Sequence, residues 1–241
     1  MRLDSYLVEI GKFDSRTKAK QAIERGEIFI DGLKKDKPSF EVPLNFCGEI
    51  EHVYQSNFVS LGGYKLEKAL KEFNFSVKGL CVADIGASTG GFTDCLLQNG
   101  AAKVYAVDLN DDLLHEKLKA DKRVISVIKN ARELSTNDFN DKLDLIVADL
   151  SFISATYVLD VFSGLIKIGC HVILLVKPQF EAGEKKKFKN GIIKDSKIHN
   201  AVLDKITLAA KDCNLIKLAL TTAPIVEGKN TEFLILFKKT V

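Results

Sequence analysis

Four ionisable residues stand at the ends of apolar runs or beside them. In VILLVKPQFE (Val172–Glu181) five apolar residues follow one another, the pattern of a strand buried on both faces. The run ends on Lys177, and Pro178 then stops any hydrogen-bonded ladder. Asp149 closes a second run, in LDLIVADLSF, and Glu232 opens a third, in GKNTEFLILF. Lys65 lies in LGGYKLEKAL, near the start of a helix that leads into the first strand. Taken singly, each has an ordinary explanation. Lys177 could snorkel from the sheet edge, or pair structurally with Asp149. Glu232 could cap a strand edge, and Lys65, like Lys68 and Lys71 beside it, could be a solvated charge. Together they suit the activation of a poor nucleophile. A lysine in a crowded, cationic, partly desolvated site holds its proton less tightly and can accept one from a hydroxyl. A second lysine and flanking carboxylates would orient it.

A glycine-rich turn supplies a partner for that chemistry. DIGASTGGFTDCLL follows the first strand of the α/β region and opens a helix, the place where an open α/β sheet binds a nucleotide-like ligand. Gly86, Gly91 and Thr93 fit three fixed positions of a phosphate loop, but Phe92 replaces its lysine, which speaks against nucleoside triphosphate hydrolysis. Gly90 does not fall at the second glycine of a dinucleotide fingerprint. A ligand with an adenosine and no phosphates remains, namely S-adenosylmethionine, against the alternative of an inert tight turn. Asp108 ends the next strand, about twenty residues on, where an acidic side chain meets ribose hydroxyls. Asp84 ends the first strand and either faces the site or serves the helix start.

The elements that must position these groups follow from alternation. GLCVADIG, AKVYAVDL, RVISVI, LDLIVADLSF, HVILLVKP, LIKLALTTAP and EFLILFKK read as strands. Helical segments fall near 91–99, 111–120, 153–167 and 195–212. That order predicts a mostly parallel sheet with helices on both faces. Asp149, Lys177 and the glycine turn then share its carboxyl edge, and Glu232 joins them if the last strand is antiparallel. The first fifty or so residues differ. Leu3, Leu7 and Ile10 recur at helical spacing, with Gly11 as a stop. A second helix follows Ser15 as N-cap, with Ala19, Ala22 and Ile23 as its apolar stripe and Gly26 at its end. IFIDG then reads as a strand and a hairpin turn. The run EAGEKKKFKNG reads as a mobile loop.

The totals exclude several classes. The chain has 241 residues with a formal net charge of +3, so contact with nucleic acid would use local patches rather than a global field. No signal peptide or membrane span is visible. Five cysteines lack paired spacing, which suits reduced thiols in a cytoplasm and no metal site.

Two resemblances carry the reading further. RLDSYLVEIGKFDSRTKAKQAIERGEIFIDG resembles the S4 RNA-binding domain along nearly its whole length, with KPSFEV matching what usually follows. The set Lys65, Asp149, Lys177 and Glu232 resembles the Lys-Asp-Lys-Glu constellation of FtsJ-type ribose 2′-O-methyltransferases. An S4 module (1–58, with a short linker) ahead of an FtsJ-like domain (59–241) resembles the TlyA, or hemolysin A, family of ribosomal RNA methyltransferases. The resemblance spans essentially the whole chain, through GGYKLEKAL, DIGASTGGFTDCLLQNGA, ADLSFIS, LVKPQFEAG and EGKNTEFL.

The resemblance implies a Rossmann-like α/β sheet binding S-adenosylmethionine, preceded by a small α+β domain. It implies methylation of cytidine 2′-hydroxyls in ribosomal RNA or a ribosomal subunit, without membrane or obligate protein partner. Lys177 would be the base, Asp149 its neighbour near the donor, and Lys65 and Glu232 the orienting pair. Donor contacts would fall on Asp84, Gly86, Ala87, Ser88, Gly90, Asp108 and Asp149, with Asn130 and Ala131 of KNAR flanking the adenine. RNA contact would fall on Arg16, Lys20 and Arg25. Leu61 stands where the family commonly has an arginine, which puts a local RNA contact or the entry to the helix in question. Rival readings are a non-catalytic ribosome assembly factor and a pore-forming haemolysin, for which no lipid-facing helix is visible. The compact ends resemble members that act on the large subunit alone. Mass mapping is therefore expected to find a methylated cytidine in large-subunit RNA; a mark in small-subunit RNA rejects that expectation.

Overall fold

The computed structural model describes residues 1–24, 26–43, 45–52, 57–183, 191–224 and 228–241. It divides into two compact units, Met1–Asn57 and Phe58–Val241.

In the first unit, α1 (Leu3–Glu9) and α2 (Arg16–Glu24) accompany β1 (Ile28–Ile30), β2 (Leu33–Lys35) and β3 (Ile50–His52). The antiparallel order is β2-β1-β3. Leu3, Leu7, Ala19, Ala22, Ile23 and Ile28 are fully buried and form the core. Ile10, expected in the same stripe, is 41% exposed because it lies at the C-terminal cap of α1. The Ser15 hydroxyl accepts the Lys18 N–H at 3.3 Å and so caps α2. Asp31 and Gly32 both have left-handed backbones, at φ 50° and 74°, as the tight hairpin between β1 and β2 requires. The third strand was not legible, since Ile-Glu-His is too short and polar to show alternation.

The second unit holds β4 (Cys81–Ile85), β5 (Lys103–Asp108), β6 (Val124–Ile128), β7 (Leu143–Ala148), β8 (Ile166–Val176), β9 (Leu215–Thr222) and β10 (Phe233–Lys239). They form one sheet in the order β6-β5-β4-β7-β8-β10-β9. The first five are parallel, and β10 runs antiparallel to β8 and β9. Against one face pack α3 (Gly62–Glu72), α4 (Gly91–Gln98) and the short α5 (Glu116–Lys119), through Leu66, Phe92, Leu96 and Leu118. The other face takes α6 (Leu159–Leu165) and α8 (Ser196–Asp212), through Phe162, Val202 and Ile206. A single turn, α7 (Pro178–Glu181), follows β8. Two helices are shorter than expected. Segment 111–120 contributes only α5, and 153–167 breaks into a 3₁₀ turn at Ala155–Tyr157 followed by α6. β8 therefore starts at Ile166, where Ile166 and Ile168 favour the extended chain.

Two contacts fix the frame around the carboxyl edge. The first lies between helix starts. A β-carbon on Gly91 would meet the Ser60 hydroxyl at 2.3 Å and the Gly63 nitrogen at 2.9 Å, so α3 and α4 begin backbone against backbone. The second lies between β4 and α4. Asp84, fully buried, accepts the Thr93 hydroxyl at 2.6 Å. Its other oxygen has no hydrogen-bond partner among the described residues. Burial pushes its carboxyl up to about 7, against the Thr93 hydrogen bond and with help from the charges of Asp149 and Asp108.

Gly91→Ala is expected to push the first turn of α3 away, costing about 1–3 kcal/mol, read as a lower urea midpoint; an unchanged midpoint contradicts the close approach. Asp84 gives a pH signature. Its folded value lies above the unfolded one, so the folded state binds the proton more tightly. Stability is then fully present below about pH 4 and is lost as pH rises to about 7. The slope across that window is up to about 1.4 kcal/mol per pH unit. Urea midpoints at pH 5 and pH 8 should converge in Asp84→Asn; an undiminished difference in that variant assigns the pH dependence to other groups.

Candidate active site

The turn after β4 is shaped by left-handed residues. Gly86, Ser88 and Gly90 have φ of 86°, 48° and 90°. A β-carbon on Gly86 would stand 2.5 Å from the Asp149 carbonyl oxygen, so no other residue fits between the ends of β4 and β7 without displacing backbone. The Ser88 N–H donates to Asp108 Oδ2 at 2.7 Å, and the Leu109 N–H to Oδ1 at 2.7 Å. These bonds fix the carboxylate at the end of β5. Asn130 accepts the Arg132 N–H at 3.0 Å and caps a short 3₁₀ turn.

A cleft of about 430 Å³ opens over this edge, lined by Gly86, Ser88, Asp108, Asn130, Ala131 and Asp149. Leu109, Leu113 and Ile153 supply apolar walls. The donor set fits S-adenosylmethionine. A held carboxylate meets ribose hydroxyls, apolar walls meet the adenine, and a side-chain-free turn admits the methionine portion. Three expected donor residues lie elsewhere. Ala87 lines the neighbouring cavity. Gly90 faces Leu118, 2.2 Å from where its β-carbon would stand, so it shapes the turn instead of the cleft wall. Asp84 points to the face covered by α4 and lines neither cavity, because strand alternation turns it toward Thr93.

The neighbouring cavity, of about 220 Å³, is lined by Lys65, Asp149, Ser151 and Lys177. It shares Gly86, Ser88, Asp149 and Ser151 with the donor cleft, so the two spaces meet at the ends of β4 and β7. Lys177 caps α7 ahead of Pro178. Its ammonium lies 2.5 Å from Asp149 Oδ1 and donates to the Ser151 hydroxyl at 2.8 Å. Only 11% of the Lys177 side chain is exposed. Lys65 lies 2.6 Å from Glu232. Because β10 is antiparallel to β8, with Phe233 opposite Val176, Glu232 stands at the same edge as Lys177. The two lysines thus line one cavity, each facing the carboxylate expected beside it: Lys177 faces Asp149, and Lys65 faces Glu232.

Two residues here were not read from the sequence. Ser151 follows Asp149 in a loop and carries no periodic signal. Phe152 is 87% exposed in a left-handed backbone at φ 67°, its ring 5.1 Å from Phe180; a β-carbon-bearing residue is strained there. That strain can be seen only in three dimensions.

The basic residues expected at RNA are less free than their charge suggested. Arg16 donates to Asp4 Oδ2 at 3.1 Å, beside the bidentate Arg2. Asp4 is buried, and the Arg2 and Arg16 hydrogen bonds hold its carboxyl well below the usual range. Arg16 is therefore partly a structural partner. Lys20 pairs with Glu24 at 3.6 Å on the surface of α2, and Arg25 lies outside the described residues. Among the described residues no cluster of histidine, cysteine, aspartate or glutamate could hold a metal ion. No described helix is long and apolar enough to cross a membrane.

The chain is similar to several known proteins. A protein of Bacillus subtilis provisionally named rRNA methyltransferase YqxC is 43% identical over 97% of this chain and 84% of its own. The 16S/23S rRNA (cytidine-2′-O)-methyltransferase TlyA of Mycobacterium tuberculosis is 35% identical over 93% of this chain and 84% of its own. A solved protein of Streptococcus thermophilus, provisionally named a hemolysin, superimposes with a TM-score of 0.77 at 39% identity, covering 100% of this chain and 88% of its own. The S4 domain model matches residues 1–45, and the FtsJ-like methyltransferase model matches residues 58–240. With that match over most of its length, and with a donor cleft opening onto a lysine-lined cavity, the chain belongs to the FtsJ-like methyltransferase family.

Proposed function

We propose that this chain methylates a cytidine ribose 2′-hydroxyl in ribosomal RNA. The observation that carries the proposal is the junction of the donor cleft with the cavity of Lys65, Asp149 and Lys177. The names of the relatives support the same acceptor. S-adenosylmethionine, when bound, supplies a methyl group on a sulfonium, which departs as a neutral thioether. The protein's part is to bring a ribose hydroxyl in line with that methyl and to take its proton.

Lys177 is the proposed base. Its nitrogen is held at the cavity by Asp149 and Ser151, 2.5 Å and 2.8 Å away. In its neutral form it accepts the hydroxyl proton as the oxygen bonds carbon. Asp149, across the ion pair, stabilises the ammonium that results. Lys65, fixed by Glu232, donates to the ribose oxygens and orients the sugar.

The division of labour follows the two units. Residues 1–57 bind RNA, through Lys20, Arg25 and the outer edge of Arg16, and residues 58–241 carry out the transfer. A ribosomal RNA acceptor fits a cytoplasmic protein. An RNA-binding assembly factor without catalysis would share the first half of this account and not the second.

Labelled methyl from S-adenosylmethionine, offered with purified subunits and naked rRNA and mapped by nuclease digestion, is expected to appear as a ribose-methylated cytidine. Lys177→Ala should lower the rate about 10²–10⁴-fold while cofactor affinity stays near that of the unaltered protein. Unchanged turnover in that variant removes Lys177 from the role of base, and absence of label on any RNA favours the assembly factor.

A further inference from the structure

The lysine-lined cavity has a neighbour on each side, and the donor accounts for one. On the far side the cavity shares Lys65 with a groove of about 720 Å³, larger than the cavity and the donor cleft. This groove runs between α3 and Ala223, Pro224, Lys229, Asn230 and Glu232. Lys65, Lys68 and Lys71 recur every third residue along one side of α3, and Lys229 stands on the other wall. From Lys65 to Lys71 is about 9 Å along a helix axis, more than twice the about 3.4 Å rise of one nucleotide in a stacked strand. The groove therefore extends well past a single reacting nucleotide.

Its cations are not equivalent. Lys65 is paired with Glu232 at 2.6 Å. Lys68 is anchored by the Thr222 carbonyl at 2.5 Å and by Glu72 at 3.4 Å. Lys71 and Lys229 form no ion pair among the described residues, although Lys71 is near enough to Glu72 to help lower its carboxyl. Leu61 and Tyr64 line the same groove. The Tyr64 ring is braced edge-on by Phe58 at 5.1 Å. Cations that track a backbone beside an aromatic face are the elements of single-strand recognition.

We propose that this groove is the channel for the single-stranded RNA flanking the reacting nucleotide, with Lys71 and Lys229 as phosphate contacts and Tyr64 as a surface for a base or sugar. The proposal rests on RNA being the acceptor. An acidic peptide would meet the same charges, but it has no reason to end at the lysine of a methyl-transfer cavity, whereas the strand next to a methylated ribose must leave that cavity somewhere.

The test is the salt dependence of rRNA binding by the full chain, measured with S-adenosylhomocysteine present. Lys71→Ala/Lys229→Ala should make the slope of log affinity against log salt shallower by about 1.4, the loss of two single-strand phosphate contacts. It should also lower kcat/KM for RNA at least about tenfold without moving cofactor affinity. Lys71→Arg/Lys229→Arg should restore both. Lys142→Ala/Lys167→Ala removes the same charge from a lysine pair near the starts of β7 and β8, the opposite edge of the sheet, and should leave the slope as it was. A slope unchanged in the first variant, or equally changed in the last, overturns the channel. RNA binding with the predicted slope change but no methyl transfer by the unaltered protein would instead overturn the enzymatic reading and leave the channel standing. Failure to bind RNA at all overturns both.

Discussion

The site depends on one close approach: the backbone of Gly86 against the carbonyl of Asp149, across the ends of β4 and β7. These strands are hydrogen-bonded neighbours in the middle of the sheet, and the chain leaves them toward opposite flanks. The crevice so formed is where open α/β sheets place ligands. Because Gly86 lacks a side chain, the donor cleft and the lysine-lined cavity share a boundary instead of being separated by one. Asp149 then serves both spaces, through its carbonyl at the turn and its carboxylate at Lys177. The paired glycines at the starts of α3 and α4 extend the same principle, bringing Lys65 in over the edge by backbone contact.

Charge is arranged in layers around that edge. Deepest lies Asp84, which burial keeps protonated through the acid range and which ties β4 to α4 through Thr93. Above it, Asp108 is ionisable and held by two backbone N–H groups at the donor side. Outermost are two lysine–carboxylate pairs, Lys65 with Glu232 and Lys177 with Asp149. A buried ion pair adds little stability on balance, since desolvation offsets most of its attraction. Two such pairs at one sheet edge are better explained by the reaction than by the fold.

The strands were legible because buried runs such as VILLV and LDLIVA admit few alternatives, and their ends place Asp149 and Lys177 on one edge. Glu232 was only conditionally legible, since its edge depends on β10 being antiparallel, which pairing decides and local sequence does not. Asp84 shows the limit of reading a strand end as a site wall: its side chain points to the opposite face from its neighbours. Arg16 shows the same limit for charge, because its partner Asp4 comes from another helix. Segment 111–120 has apolar residues at helical intervals, yet only Glu116–Lys119 is helical; short helices gain too little from propensity alone. Ser151 and Phe152 come from a loop without periodic signal, and Lys229 joins the regularly spaced lysines of α3 from a distant segment, which sequence spacing does not reveal.

The central claim is that the ribose hydroxyl, and no atom of the base, receives the methyl group. It is tested most directly with an acceptor RNA that carries a single 2′-deoxynucleotide at the mapped position. The account predicts that this RNA still binds with near-native affinity and takes up no label. Label incorporated at that nucleotide would contradict it, because the accepting atom would then lie on the base.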